Sequence, residues 1–436
     1  MKKSLITAAI GAAGLVLVGC GGAPGAAGGT DASDAAQEAA DLLGISLEDC
    51  PTDITEELGD TAKVGQTLPL SGPVAVLSVI KDGEEAGFGH FNSTLDLPTS
   101  FEYVAKDDQF DPAKTATAAQ ELIQKDGVVA LNGVVGTANV HSIMGAAVDS
   151  CVPLVGAQSG GSSVIEGDGG MMTTTLAMPF KTESRVWAER INEEYPDGAK
   201  IALFTANTES GKDYAASFKG HLEATESNSE IVVEESIEPV DTGAPSSQVT
   251  TLRGSDADVL VMGLGGSQCA PALIEVANQG WKPDILLTGQ CGGAAYLEPA
   301  GAAADGVQVL LFTKDPASAR WKDDEGIKDF LAALDEYAPD AKLQVTTLTG
   351  YLSAEMLFQA AEAAADSELG LSPLGIAYAA RHLDYQPSLQ FPGVEVKLDG
   401  ADDIYAIEAG ELNEWDADAS EFEPIKMYDF EGEMTE

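Results

Sequence analysis

Hydrophobic positions in this chain fall into short runs separated by small polar loops and helical patterns. Residues 128–163 show the arrangement most clearly: an apolar run, a small-residue loop, a helical segment, a second apolar run and a Gly/Ser loop. Short apolar runs alternating with helical periodicity predict parallel strands joined by crossover helices. Both loops then lie at the carboxyl ends of their strands, where open α/β sheets bind ligands. Residues 136–139 (GTAN) and 158–162 (QSGGS) offer hydroxyls, amides and bare backbone N–H groups at helix starts. That chemistry suits a small anionic or polar group.

The same rhythm predicts strands over 64–69, 100–105, 200–205, 231–236, 258–262 and 284–287. Helices are expected over 183–194, 212–225, 246–254, 270–279, 323–337, 347–366 and 372–382. Asp111 followed by Pro112 reads as an N-cap and first helical residue, opening a helix that runs to Lys125. Residues 171–180, 307–312 and 394–398 are extended without an obvious helix after them and read as crossing segments. Residues 405–408 look strand-like ahead of an acidic tail. The expected fold class is α/β, with two doubly wound lobes joined by three extended segments. Lobe 1 would comprise 61–177 and 308–393, and lobe 2 would comprise 178–307 and 394–436.

Charge narrows the range of partners. The 436 residues carry 71 acids against 23 bases, a formal charge of −48. Such a surface repels nucleic acid and anionic lipid, so neither is expected to bind it. Two readings of the acidity stay open: a saline habitat, or simply an acidic exported protein. Lys2 and Lys3 precede an uncharged run over 5–18, too short for a membrane span of about 20 residues and typical of a signal peptide. The run closes on Leu17, Val18, Gly19 and Cys20, which resembles a bacterial lipobox and makes Cys20 the expected lipidated residue of the mature protein. A flexible acidic tether is expected over 21–60.

Of five cysteines, Cys50, Cys151, Cys269 and Cys291 follow Cys20, an even number that favours disulfides in an exported protein. Cys269 and Cys291 each follow a predicted strand in neighbouring α/β units. Of three possible pairings, Cys269–Cys291 with Cys50–Cys151 is therefore preferred. The spacings match no zinc pattern, and the acids of 106–112 (KDDQFDP) lack the order of a calcium loop, so no metal is expected. Gly263-Leu264-Gly265 lacks the third glycine of a dinucleotide fingerprint, and no P-loop lysine pattern occurs, so no cofactor is expected. Residues 157–161 (AQSGG) match a loose nucleophile elbow on Ser159, for which His382 would be the base. A serine hydrolase is thus one reading of this loop. Trp187, Trp281 and Trp321 are assigned to packing.

The run 70–75 (LSGPVA), the loop 106–112 and the loop around Thr137, in this order, resemble the leucine/isoleucine/valine-binding proteins of ABC importers over roughly 63–412. The resemblance implies a three-strand hinge and two lobes closing over a small solute that is passed to ABC permease subunits, without chemistry on it. It implies that Thr137 holds a ligand carboxylate and that Ser159, Gly160 and Gly161 hold its carboxylate and ammonium, with Ser71 nearby. Glu209, Gly265, Gln290 and Cys291 would face them from lobe 2. This sequence departs from the family where an ammonium-binding acid is expected, near Gln290 and Cys291, and where walling tyrosines are expected, near Ser210 and Gly265. A branched-chain amino acid and an amide, urea-type or other small polar solute are the alternative ligands, and a sensor is the alternative role.

Overall fold

The computed structural model describes residues 32–239 and 241–434. The signal segment, Cys20 and the first part of the expected tether lie outside the described residues.

Lobe 1 is built on five parallel strands: β1 (Thr61–Leu68), β2 (Ser100–Asp107), β3 (Ala130–Asn132), β4 (Leu154–Ala157) and β5 (Thr173–Thr175). Their spatial order is β2-β1-β3-β4-β5. Lobe 2 repeats that order with β6 (Lys200–Ala206), β7 (Glu230–Ile237), β8 (Val259–Gly263), β9 (Asp284–Leu287) and β10 (Gln308–Leu311), arranged β7-β6-β8-β9-β10. Strands β4 and β8 are buried along their whole length, as parallel strands covered by helices on both faces must be. In each lobe the chain winds outward in opposite directions from its first and third strands. That reversal leaves a crevice at their carboxyl ends.

Between the lobes the chain crosses first at residues 176–179. Two short strands, β11 (Asp384–Tyr385) and β12 (Val396–Lys397), pair beside lobe 1. A hairpin of β13 (Ala409–Asp416) and β14 (Glu421–Asp429) then adds antiparallel to the β10 edge. Two boundaries therefore differ from expectation. Residues 308–311 belong to the lobe 2 sheet through pairing of β10 with β9, and the second crossing begins after them. Residues 394–400 stay with lobe 1, where the Leu398 amide bonds Leu383 and the Gly400 amide bonds Arg381. The expected acidic tail is the β13–β14 hairpin.

The largest correction concerns the tether. Residues Ala32–Leu43 form a helix whose Ala36, Ala39, Ala40 and Leu43 are buried against Leu374 and Ala377. Spacings of three and four residues put these side chains on one helical face. Their small size and the acids between them disguised the stripe as linker. Cys50 is joined to Cys151, which ties this segment to lobe 1.

Candidate ligand cleft between the lobes

In lobe 1 the turn after β3 ends on Gly136, which caps the Thr137–Ser150 helix with φ 95 and no side-chain cap. A Cβ there would lie 2.7 Å from the Phe110 ring, so only glycine fits. The first amides of the helix therefore lack a side-chain acceptor, and the helix end favours negative charge. Beside it the Thr137 and Ser159 hydroxyls lie 2.9 Å apart, and the Gly161 amide donates to Ser159 Oγ at 3.2 Å. Both side chains are nearly covered, at 7% and 3% exposure. Gly160 and Gly161 are buried, and a Cβ on Gly160 would fall 2.0 Å from the Met178 carbonyl in the first crossing segment. Ser71 lies in the loop after β1. Its hydroxyl donates to Asp107 Oδ2 at 2.5 Å, and Asp107 also takes the amides of Leu70, Ser71 and Gln109. Burial works upward on that carboxyl, but these hydrogen bonds together hold it below its ordinary value. Ser71 thus positions the loops after β1 and β2.

The lobe 2 half is acidic. Thr208 caps the Glu209–Ala224 helix by accepting from the Gly211 amide, which places Glu209 and Asp213 one turn apart on the cleft side. Glu209 Oε1 accepts from Ser163 Oγ at 2.6 Å and lies 3.2 Å from His141 Nδ1. Asp213 accepts from the Ser162 amide at 2.7 Å and from its hydroxyl at 3.0 Å. The two acids therefore grip the segment directly after Gly161, and the lobes meet here. On the other flank Tyr296 OH and Thr346 Oγ1 lie 3.2 Å apart across the same gap. Burial raises the Asp213 carboxyl above its usual range, against the pull of the Ser162 hydrogen bonds.

Gly265 caps the Gly266–Asn278 helix, its amide donating to Gln268 Oε1 at 3.2 Å. Gln290 is exposed at the cleft loop, with its amide bonded to Thr288 Oγ1. Cys291 is fully buried and joined to Cys269, so its sulfur anchors the loop to the helix.

Sequence reasoning found no acid near Gln290 and missed Glu183. That side chain, 106 residues away in sequence, accepts the Gly289 amide at 2.5 Å and the Tyr214 hydroxyl at 2.6 Å. Tyr214 OH also lies 2.8 Å from Thr288 Oγ1. Burial pushes the Glu183 carboxyl up to about 7, opposed by its hydrogen bonds with Tyr214, Gly289 and Thr288. The one sequence signal was its place between Phe180 and Trp187 on the buried face of the Phe180–Glu194 helix, where an acid is out of pattern. Asp213 and Phe110 were missed as well. The hydrolase arrangement is not assembled, since the hydrogen bonds of Ser159 go to Thr137 and Gly161 while His382 Nδ1 bonds the Tyr378 carbonyl.

Among known proteins, a family model described as periplasmic binding protein matches residues 61–403. No curated protein sequence matches the chain. A possible leucine/isoleucine/valine-binding protein from Rhodopirellula baltica SH 1 is 20% identical with a TM-score of 0.71, covering 86% of this chain and 98% of its own. A branched-chain amino acid ABC transporter protein from Thermus thermophilus with bound valine is 16% identical with a TM-score of 0.74, over 85% of this chain and 97% of that one. A solute-binding protein of an ABC transporter from Rhodopseudomonas palustris HaA2, in complex with p-hydroxybenzoic acid, is 20% identical with a TM-score of 0.68, over 85% and 97%. At these identities the solved structures establish the shared two-lobed fold. With the family match spanning most of the sequence, the chain belongs to the periplasmic binding protein family.

Proposed function

We propose that this protein is an extracytoplasmic receptor of an ABC importer that captures a small carboxylate-bearing, amino-acid-like solute between its lobes. The observation that carries the reading is the opposition of chemistries across the cleft. One side offers an uncapped helix end with the Thr137 and Ser159 hydroxyls, and the other offers Glu209 and Asp213. A zwitterion satisfies both halves: its carboxylate takes the amides and hydroxyls of lobe 1, and its ammonium faces the acids of lobe 2. Valine and p-hydroxybenzoic acid, the ligands named for two of the similar structures, both carry a carboxylate, which supports the lobe 1 assignment. Ser159, Gly160 and Gly161 complete that half, and Glu209, Gly265 and Gln290 line the other.

Delivery would be to a separate permease, with the receptor held at the membrane through lipid on Cys20. Among the described residues no helix is long and apolar enough to cross a membrane. Mass spectrometry of the membrane-extracted protein tests the anchor through the mass of its first peptide.

Calorimetric titration with amino acids, amides and organic acids tests the ligand class. The best zwitterion should bind more tightly than its amide, and Thr137→Ala should weaken it about tenfold, the worth of one charge-assisted hydrogen bond. Equal affinity for acid and amide would remove the carboxylate assignment. In that case an amide or urea-type solute, served by the same hydroxyls, becomes the better reading.

A further inference from the structure

On one flank of the cleft a histidine of lobe 1 meets an acid of lobe 2. His141 lies four residues beyond Thr137 on the Thr137–Ser150 helix, so the two side chains share a helical face. Its Nδ1 stands 3.2 Å from Glu209 Oε1, the oxygen that also accepts from Ser163 Oγ at 2.6 Å. The side chains are 54% and 35% exposed, and an ion pair this open contributes little to folding. Its weight lies in the charge it leaves at the cleft.

The two acids of lobe 2 are not equally committed. Asp213 uses both carboxylate oxygens, Oδ2 on the Ser162 amide and Oδ1 on the hydroxyls of Ser162 and Ser217. Glu209 uses Oε1 alone, and among the described residues its Oε2 makes no hydrogen bond or ion pair. Glu209 is therefore the acid with an oxygen left for a ligand ammonium. Whether it also keeps a net charge depends on His141, because a histidine ordinarily changes charge between about pH 5 and 8. Protonated, His141 neutralises Glu209; neutral, it leaves the negative charge to whatever lies in the cleft. Among the described residues no other ion pair reaches Glu209. On the elements packed against these two helices, Lys114 bonds Gln109, Lys181 lies 3.8 Å from Glu166, and Arg185 pairs with Glu189 and Glu433. Lys212, on the Glu209 helix itself, is exposed.

We propose that His141 is a specificity-determining residue: protonated, it lets the cleft accept a plain carboxylate, and neutral, it makes the cleft select a zwitterion. The inference rests on the carboxylate receptor proposed above and adds the control of its selectivity. Lobe 1 holds the carboxylate of either solute in the same way, so the two differ only in what faces Glu209. An ammonium gains from an unneutralised Glu209 and loses that gain once imidazolium has taken the charge. An anion without an ammonium behaves in the opposite way, repelled by Glu209 until His141 is protonated. Selectivity is the difference between these two affinities.

Calorimetric titration of the full chain with valine and 3-methylbutanoate, at pH 6 and 8 and one ionic strength, compares a single carbon skeleton with and without its ammonium. In the parent the preference for valine should grow about threefold or more from pH 6 to 8, the scale of one exposed ion pair. Glu183 titrates in the same range behind the cleft loop, so the variants are compared with the parent at fixed pH. At pH 6 His141→Gln should prefer valine about threefold more strongly than the parent does, and at pH 8 it should match the parent. His141→Lys, whose charge is fixed, should keep the parent's pH 6 preference at pH 8. Circular dichroism melting checks that each variant is folded; should one fail to fold, the other decides. The proposal is overturned if His141→Gln matches the parent at pH 6, or if His141→Lys matches it at pH 8. Binding of both probes with an unchanged preference removes the role of His141 alone, whereas binding of neither removes the amino-acid-like receptor reading with it.

Discussion

The two lobes share one strand order and differ in what they present at its crevice. Lobe 1 ends its strands on a helix start without a side-chain cap, flanked by hydroxyls; lobe 2 ends its strands on acids and a disulfide-anchored loop. Even their buried acids are used differently. In lobe 1 Glu84 accepts from the Gln66 and Asn132 amide groups beneath the loop that follows β3. In lobe 2 Glu183 reaches a backbone amide of the cleft loop itself. A common architecture thus supplies the gap, and the side chains at the strand ends make it polar in one direction. A solute with unlike ends would be read in a single orientation.

The disulfides offer the largest contrast. Cys50–Cys151 closes a separation of 101 residues and Cys269–Cys291 one of 22. On the chain-entropy account the first should stabilise by about 5 kcal/mol and the second by about 3 kcal/mol. Denaturant titration of the paired Cys→Ser variants measures both, and a larger loss from the lobe 2 bridge would reverse the ranking. Glu183 comes next. Glu183→Ala strands the Gly289 amide, leaves the Tyr214 hydroxyl with Thr288 Oγ1, and should cost about 2 kcal/mol, with Glu183→Gln costing less.

The pH dependence carries its own sign. The folded Glu183 carboxyl, raised to about 7 from 4.5, binds a proton that the unfolded chain has already released. Between those values its contribution to stability falls as pH rises, and above about 7 the penalty is constant, reaching about 3 kcal/mol. Urea unfolding at pH 5 and 7.5 should therefore show a smaller pH-dependent loss in Glu183→Gln than in the parent; equal losses would show that the carboxyl does not titrate there. The smallest effect is on closure. Asp213→Ala removes two cross-lobe hydrogen bonds and should weaken the cleft ligand about tenfold, with solution scattering showing a more open unliganded form. An unchanged scattering profile would mean that the Asp213 grip does not hold the lobes together.

Alternating α/β rhythm, the glycine-rich turns after β3 and β4 and the Asp111-Pro112 helix start were legible because each is local: periodicity and capping act within a few residues. The structure shows Asp111 accepting from the Ala113 and Lys114 amides as that pattern requires. The helix of 32–43 was hidden because three of the four residues in its buried stripe are alanine, which carries little hydrophobic signal in a window full of acids. Glu183 was hidden for another reason. Nothing near it in sequence says that Gly289 and Tyr214 will be its partners, since those bonds are made only when three elements pack.

By itself the sequence determined the class of fold, the two sets of strands and the small-residue loops at their ends, because side-chain period and backbone freedom are properties of neighbouring residues. Only the tertiary structure decided which acid stands behind the cleft loop, that Ser71 and Cys291 serve neighbouring loops, and that Ser162 and Ser163 meet Asp213 and Glu209 across the gap. Burial, charge pairing and hydrogen-bond partners depend on what lies opposite. That is settled only when distant segments come together.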